Sequence, residues 1–261
     1  MYGVFLSDIH VGSKTFLRNS FEKFLSWLSD RSGEDSEIVN RIKYLVIAGD
    51  VVDGVGVYPA QENELEEKNI VKQYEMFASL IDKVPKNIHI FVTPGNHDAT
   101  RQALPQFAIP KKYAGALYEM KNLTMLGNPA EIRLHGVNVL IYHGQSLPDV
   151  VSTAPNQSFE RPAAAMKLLL KARHLAPTYG RGTSFAPEKS DRLVIESVPD
   201  IFHCGHIHTL DSDVYKGTLL LNSGTWQSQT RYQYNMGIVP VAGVAPIVNL
   251  STFDVLTKNF L

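Results

Sequence analysis

Again and again along this chain a short apolar run ends and a side chain able to hold a metal ion follows shortly after. The runs cover residues 3–6, 44–48, 88–92, 137–142 and 201–204, and a sixth covers 218–221. Behind the first five stand Asp8 and His10, then Asp50, then Asn96 and His97, then His143, then His206 and His208. Runs that are apolar throughout, without alternation, are expected of strands covered on both faces. In α/β sheets ligands gather in the crevice outside the carboxyl ends of the strands. The pattern therefore predicts an α/β fold whose strand ends converge on one crevice. Gly49, Gly95, Gly144 and Gly205 flank the candidate ligands and suit turns where the backbone must approach an ion or a phosphate closely.

Between the runs the apolar spacing changes to a helical period. Residues 20–28 place Phe21, Phe24, Leu25 and Leu28 on one face, and residues 70–84 do the same with Val71, Tyr74, Phe77, Ala78 and Ile81. The segment 147–193 has no obvious strand, and within it 161–173 reads as a helix with Pro162 in its first turn. It is expected to be an insertion in a single domain covering 1–261. Between residues 156 and 192 seven Lys and Arg stand against three Asp and Glu, a local excess of four positive charges in a chain whose formal net charge is -1. The overall balance points to no nucleic-acid or membrane partner, whereas the local excess is compatible with phosphates. The apolar stretch 237–250 is interrupted by Pro240, Gly243 and Pro246 and is shorter than the roughly 20 residues a membrane helix needs. The single cysteine, Cys204, excludes an internal disulfide and a thiolate zinc site, and suggests a reducing, cytoplasmic compartment.

Carboxylate, imidazole and amide donors together suit manganese, iron or zinc better than the all-oxygen cages of calcium. The five motifs Asp8-x-His10, Gly49-Asp50-x-x-Asp53, Gly95-Asn96-His97-Asp98, His143 and Gly205-His206-x-His208 resemble those of the calcineurin-like metallophosphoesterases. The resemblance implies that family's four-layer αββα fold, two packed central β-sheets flanked by helices. It also implies two divalent metal ions, manganese foremost with iron or zinc as alternatives. Asp8, His10 and His208 would hold one, Asn96, His143 and His206 the other, and Asp50 would bridge. Two such cations about 3.5 to 4 Å apart can activate a water for in-line attack on phosphorus. His97 would serve the leaving oxygen as the catalytic acid, with Asp53 orienting its imidazole.

The segments 157–162 and 171–180, the opening Ser7-Asp8-Ile9-His10-Val11-Gly12-Ser13-Lys14 and the late Asn222-Ser223-Gly224-Thr225-Trp226-Gln227 look like the small subunit of the archaeal family D DNA polymerases. That resemblance implies a proofreading 3′-5′ exonuclease acting on single-stranded or frayed 3′ DNA ends beside a large polymerising subunit. Arg101, Arg161, Lys167, Lys171 and Arg173 are the candidate phosphate contacts, the alternative for the helix being to cover the sheet or dock on the partner. In that family an oligonucleotide-binding-fold domain precedes the phosphoesterase domain, whereas this sequence begins directly at the first expected strand. Two other readings stand beside the exonuclease. One is a nuclease of the double-strand-break repair type, for whose capping domain the stretch after His208 is short. The other is an assembly subunit whose metal site is only structural.

Overall fold

The computed structural model describes residues 1–235 and 237–261. In chain order the elements are β1 (Tyr2–Leu6), α1 (Arg18–Ser29), α2 (Ser36–Val39), β2 (Ile42–Ala48), α3 (Ile70–Ile81), β3 (His89–Thr93), α4 (Lys111–Tyr118), β4 (Leu123–Met125), β5 (Ala130–Leu134), β6 (Val137–Ile141), α5 (Leu147–Thr153), α6 (Pro162–Ala172), β7 (Ile201–Cys204), β8 (Asp211–Tyr215), β9 (Thr218–Asn222), α7 (Arg231–Asn235), β10 (Val244–Asn249) and β11 (Val255–Asn259). They form a six-stranded sheet in the order β11-β10-β1-β2-β3-β4 and a five-stranded sheet in the order β5-β6-β7-β9-β8. No helix among the described residues is long and apolar enough to cross a membrane.

All six apolar runs are strands, and the two faces of each strand go to different layers. In β1, Val4 and Leu6 join the layer of α1, α3 and α4, while Phe5 turns toward the second sheet; in β2, Leu45 and Ile47 part from Val46 and Ala48 in the same way. The five-stranded sheet mirrors this. Val139 and Ile141 of β6, Ile201 of β7, and Leu219 and Leu221 of β9 meet Phe5, Val46 and Ala48 between the sheets. Their neighbours Leu140, Phe202, Cys204 and Leu220 pack under α5 and α6. The period of two is present in the chain geometry but invisible in the sequence, because both faces are buried. The result is the expected stack of helices, sheet, sheet and helices.

The helix faces follow the sequence with one exception. Phe21, Phe24, Leu25 and Leu28 of α1 are buried, as are Tyr74, Phe77, Ala78 and Ile81 of α3. Val71 is not buried: it lies in the first turn of α3, 36% exposed, just after the Asn69 cap whose carboxamide oxygen accepts from the Val71 and Lys72 amides. β1 is parallel to β2, and β2 to β3; β6, β7 and β9 are likewise parallel. The two parallel sets bring the ends of β1, β2, β3, β6 and β7 to one edge of the sheet pair.

Candidate metal centre and active site

Eight of the sequence-predicted side chains sit on the turns that leave those strand ends. Asp8 and His10 follow β1, Asp50 follows β2, Asn96 and His97 follow β3, His143 follows β6, and His206 and His208 follow β7. Five of them take left-handed backbone conformations, with φ of 52° at Asp8, 56° at His10, 51° at Asp50, 70° at His206 and 62° at His208. Each such residue costs roughly 1 kcal/mol or more relative to ordinary backbone, and strain of this kind gathers where a side chain must point in one required direction. The flanking glycines make room. A Cβ on Gly95 would strike the Asp50 carboxylate and stand 2.7 Å from His143 Cε1, and one on Gly49 would stand 2.6 Å from His143 Nδ1. A Cβ on Gly205 would collide with Ser7 and lie 2.5 Å from Asp8 Oδ2.

The side chains converge in two adjoining clusters. In one, His208 Nε2 lies 3.3 Å from Asp8 Oδ1 and 3.2 Å from His10 Nε2. In the other, His143 Nε2 lies 3.3 Å from Asp50 Oδ2, 3.0 Å from Asn96 Oδ1 and 3.3 Å from His206 Nδ1. Asp50 Oδ2 is also 3.9 Å from His10 Nε2, so this one oxygen faces both clusters. The other carboxylate oxygens are committed to backbone: Asp50 Oδ1 accepts from the His97 amide at 2.8 Å, and Asp8 Oδ2 accepts from the His206 amide at 2.8 Å.

The donor set fits metal ions. Asp8 Oδ1 is fully buried and has no hydrogen-bond partner. A buried, unpaired carboxylate oxygen is costly unless a cation satisfies it. Two of the imidazoles are already oriented for ligation. His143 Nδ1–H donates to the Ala48 carbonyl at 2.7 Å and His10 Nδ1–H to Asp53 Oδ1 at 3.0 Å, which turns both Nε2 atoms toward the clusters. His208 Nδ1 lies 2.7 Å from the Gln233 side-chain amide, so the end of that amide turned to the ring decides which ring nitrogen carries the proton. Burial would raise the Asp8 carboxyl, but His208 and His143 outweigh it and hold it at about 2. Burial and the charge of His143 push His206 down to about 3, keeping it neutral. Burial acts the same way on His143, but the Asp50 carboxylate overrides it and raises that imidazole to about 9.

His97 borders the first cluster, its ring edge-on to His10 with centroids 4.7 Å apart. Its Nδ1–H donates at 2.7 Å to the backbone carbonyl of Asp53, not to the carboxylate, which is 4.0 Å away. Asp53 thus meets the His97 imidazole as expected, but with its main-chain carbonyl and not its carboxylate. That carboxylate accepts from His10 Nδ1–H and from the amides of Gln61, at 3.2 Å, and Gln227, at 3.3 Å. Asp53 thus orients a metal-facing histidine with its side chain and His97 with its main chain. Asp98 braces the turns from behind, accepting from the Gly95 amide at 2.9 Å and the Tyr74 hydroxyl at 2.9 Å; burial and the charge of Asp50 raise it to about 7.

The five candidate phosphate contacts do not form one track. Arg101 is tied to Glu188 and the Pro105 carbonyl, each at 2.6 Å, in a cavity shared with Arg192. Arg173 ends α6 in a left-handed conformation, and its guanidinium is held by the carbonyls of Ile195 and Glu196. Lys167 and Lys171 lie over the Tyr215 ring at 5.1 and 5.9 Å. Tyr215 pairs with Thr218 at the start of β9, the end of the sheet away from the ligand turns. At the near end, the Ala163 amide donates to Asp211, which pairs with Asn222 beside Cys204. Of the helix residues, only Arg161 is at that near end.

Several supporting residues carry no sequence signal. Thr225 Oγ1 donates to the Asp8 carbonyl at 2.8 Å, and the Trp226 amide donates to the same oxygen at 2.9 Å. Asp149 accepts from the Gly182 and Thr183 amides at 3.0 and 2.9 Å and from Thr183 Oγ1 at 2.6 Å, and that hydroxyl lies 3.3 Å from the Gln145 carbonyl. This seats the exposed Arg181 loop beside the turn that carries His143. Buried Gln and Thr look the same in sequence as exposed ones, so only the segment 222–227 offered a hint.

Comparison with known proteins gives the chain a family and a fold. The family model that describes the B subunits of DNA polymerases alpha and epsilon matches residues 4–211. A DNA polymerase II small subunit of Pyrococcus furiosus is 50% identical over 258 residues, covering 98% of this chain and 42% of that protein. Its counterpart in Thermoplasma acidophilum is 44% identical over 260 residues, covering 100% and 52%. The chain thus spans about half the length of the curated relatives it matches. Among solved structures, an archaeal phosphodiesterase aligns over 99% of both chains with a TM-score of 0.50 at 12% identity, a likeness of fold.

Proposed function

The chain belongs to the family of DNA polymerase alpha and epsilon B subunits, and from that premise we propose that it is a metal-dependent 3′-5′ exonuclease acting on single-stranded or frayed 3′ DNA ends. In this reading it proofreads for a separate large polymerising subunit. The observation that carries catalysis is the complete donor set around the unpaired Asp8 Oδ1. An assembly subunit with a structural metal site would need the same donors, but not an imidazole positioned beside them as His97 is. The DNA substrate, its polarity and the large-subunit partner rest on the relatives and on the segments that resemble them.

Asp8, His10 and His208 would hold one divalent ion and Asn96, His143 and His206 the other, with Asp50 facing both. Manganese is the first choice, with iron or zinc as alternatives. When bound, the pair supplies an activated water and neutralises charge on the phosphate. The remaining work falls to the protein's own groups. His97 keeps its Nδ1 proton on the Asp53 carbonyl, which leaves Nε2 to give a proton to the leaving oxygen. The Asp50 carboxylate fixes the His97 main chain through its Oδ1, so the acid and the ion-holding oxygen move as one unit.

The test is a primer with a 3′ mismatch incubated with manganese, iron or zinc, with Asp50→Asn as the control. Stepwise release of nucleotides from the 3′ end, absent in the variant, is the expected result. A chain that is inert in every divalent metal, or that releases nucleotides from the 5′ end, would sink the reading.

A further inference from the structure

The loop that follows Asp53 carries an aromatic side chain that the catalytic scheme leaves unused. Tyr58 lies edge-on to His97, its ring centroid 6.2 Å away with the planes 65° apart, and the residue is 38% exposed. Its hydroxyl is not free. It donates to Glu64 Oε2 at 2.9 Å, and burial followed by that carboxylate and Asp53 raises it further, so it stays protonated and offers no base. What Tyr58 presents to the site is its ring.

The ring is held in place. The Val57 amide donates to Gln61 Oε1 at 2.8 Å, and Gln61 Nε2 donates to the Asp53 carbonyl at 2.8 Å, the same oxygen that orients His97. At the loop's start Gln73 makes two bonds to Gly54, accepting from its amide at 2.9 Å and donating to its carbonyl at 3.1 Å. Gly54 itself has φ of +75° and lies so close to the His97 carbonyl that a Cβ would collide with it. These bonds tie the Tyr58 loop to the same carbonyl that orients His97. A ring placed before the substrate arrives loses little entropy on stacking.

We propose that the ring of Tyr58 is a stacking platform for the base of the nucleotide that carries the leaving oxygen. This rests on the nuclease reading above. If His97 serves the leaving oxygen, a ring set against His97 is on the side of the nucleoside that keeps that oxygen, not of the one released. In 3′-5′ hydrolysis that is the penultimate nucleotide. Every base has a π-face, so such a platform holds a strand end without reading its sequence, as a proofreading activity requires.

The experiment compares wild type, Tyr58→Ala, Tyr58→Phe and Tyr58→Trp on single-stranded DNA that is either intact or abasic at the penultimate position. Base–aromatic stacking corresponds to roughly tenfold or more in affinity. The wild type should lose about tenfold in kcat/KM, mainly through KM, on the abasic strand. Tyr58→Ala should show that loss on intact DNA already and no further loss on the abasic strand, whereas Phe and Trp should behave as the wild type does. A Tyr58→Ala enzyme that still loses tenfold when the base is removed overturns the proposal, as does a Phe variant that fails like Ala. Both leave the nuclease reading standing. A wild type that releases nothing from DNA overturns both.

Discussion

The two sheets contribute different chemistry to one crevice. The six-stranded sheet supplies every carboxylate and the amide of the candidate centre, Asp8, Asp50 and Asn96, together with His10, His97 and the loop of Asp53. The five-stranded sheet supplies imidazoles alone, His143, His206 and His208. Neither sheet holds a full ligand set, so the centre exists only when the sheets are packed. The charge and the acid lie on one side, and the other side completes the coordination. Asp50 is the junction, since its Oδ2 faces His10 from its own sheet at 3.9 Å and His143 from the opposite one at 3.3 Å.

The largest expected effect breaks that junction. Asp50→Asn should lower nuclease activity by about 10³-fold or more and reduce the bound metal, because the shared oxygen carries the charge that holds the ions. His97→Ala tests the other half of the comparison. It should cost about 10²- to 10³-fold while bound metal stays at the wild-type level, since His97 borders the clusters with its Nδ1 already bonded to the Asp53 carbonyl. Elemental analysis beside a rate measurement separates the two. Equal metal loss in both variants would show that the first sheet does not divide its work between holding ions and serving the leaving oxygen.

Much of this division was legible in the sequence, and the parts that were not have physical reasons. Six strands announced themselves because burial on both faces makes a continuous apolar run. The others lie at edges or carry a break. β5 alternates as Ala-Glu-Ile-Arg-Leu, β8 is the polar Asp-Ser-Asp-Val-Tyr, and β4 is only three residues long. β10 contains Pro246, which is tolerated because it pairs with Thr257 of β11 beyond the last register pair with β1, Val4↔Ile247. At the site, the donors could be read from their spacing, but the role of Asp53 could not. Whether its carboxylate or its carbonyl meets His97 depends on backbone dihedrals, which no motif encodes. The basic helix failed as a track for a similar reason. Its residues are close in sequence, but α6 runs along the sheet and carries Lys167 and Lys171 away from the ligand end.

Gly95→Ala is an intermediate case, because a single methyl on the first sheet's turn would press on the second sheet's ligand. The Cβ would meet the Asp50 carboxylate, the Asp50 amide at 2.7 Å and His143 Cε1 at 2.7 Å, all backbone or well-braced groups that cannot swing away. Overpacking of this kind costs about 1–3 kcal/mol, and here it also displaces the junction. Chemical denaturation in chelator should show that loss of stability, and activity should fall with it. Wild-type stability in the variant would mean that the two sheets give way more easily than their packing suggests.

The smallest effect sharpens the comparison from inside the five-stranded sheet, which carries a buried imidazole that no ion would claim. His203 of β7 is fully buried, edge-on to Phe5 of the opposite sheet at 5.1 Å, and paired with Ser223 Oγ at 2.6 Å; its Nδ1 has no hydrogen-bond partner. Burial pushes it down to about 3, so it stays neutral in the fold where an unfolded chain would take up a proton. The sign follows from proton counting. Between about pH 6.5 and 3 the unfolded state binds the extra proton, so stability falls as pH falls, by about 1.4 kcal/mol per pH unit from this group. Denaturation of wild type and His203→Gln in chelator, at pH 7 and at pH 5, isolates it from the carboxylates that titrate in both. The gap between the two proteins should shift in favour of the variant by roughly 2 kcal/mol on acidification. A gap that is the same at both pH values would mean that the inter-sheet core admits the proton.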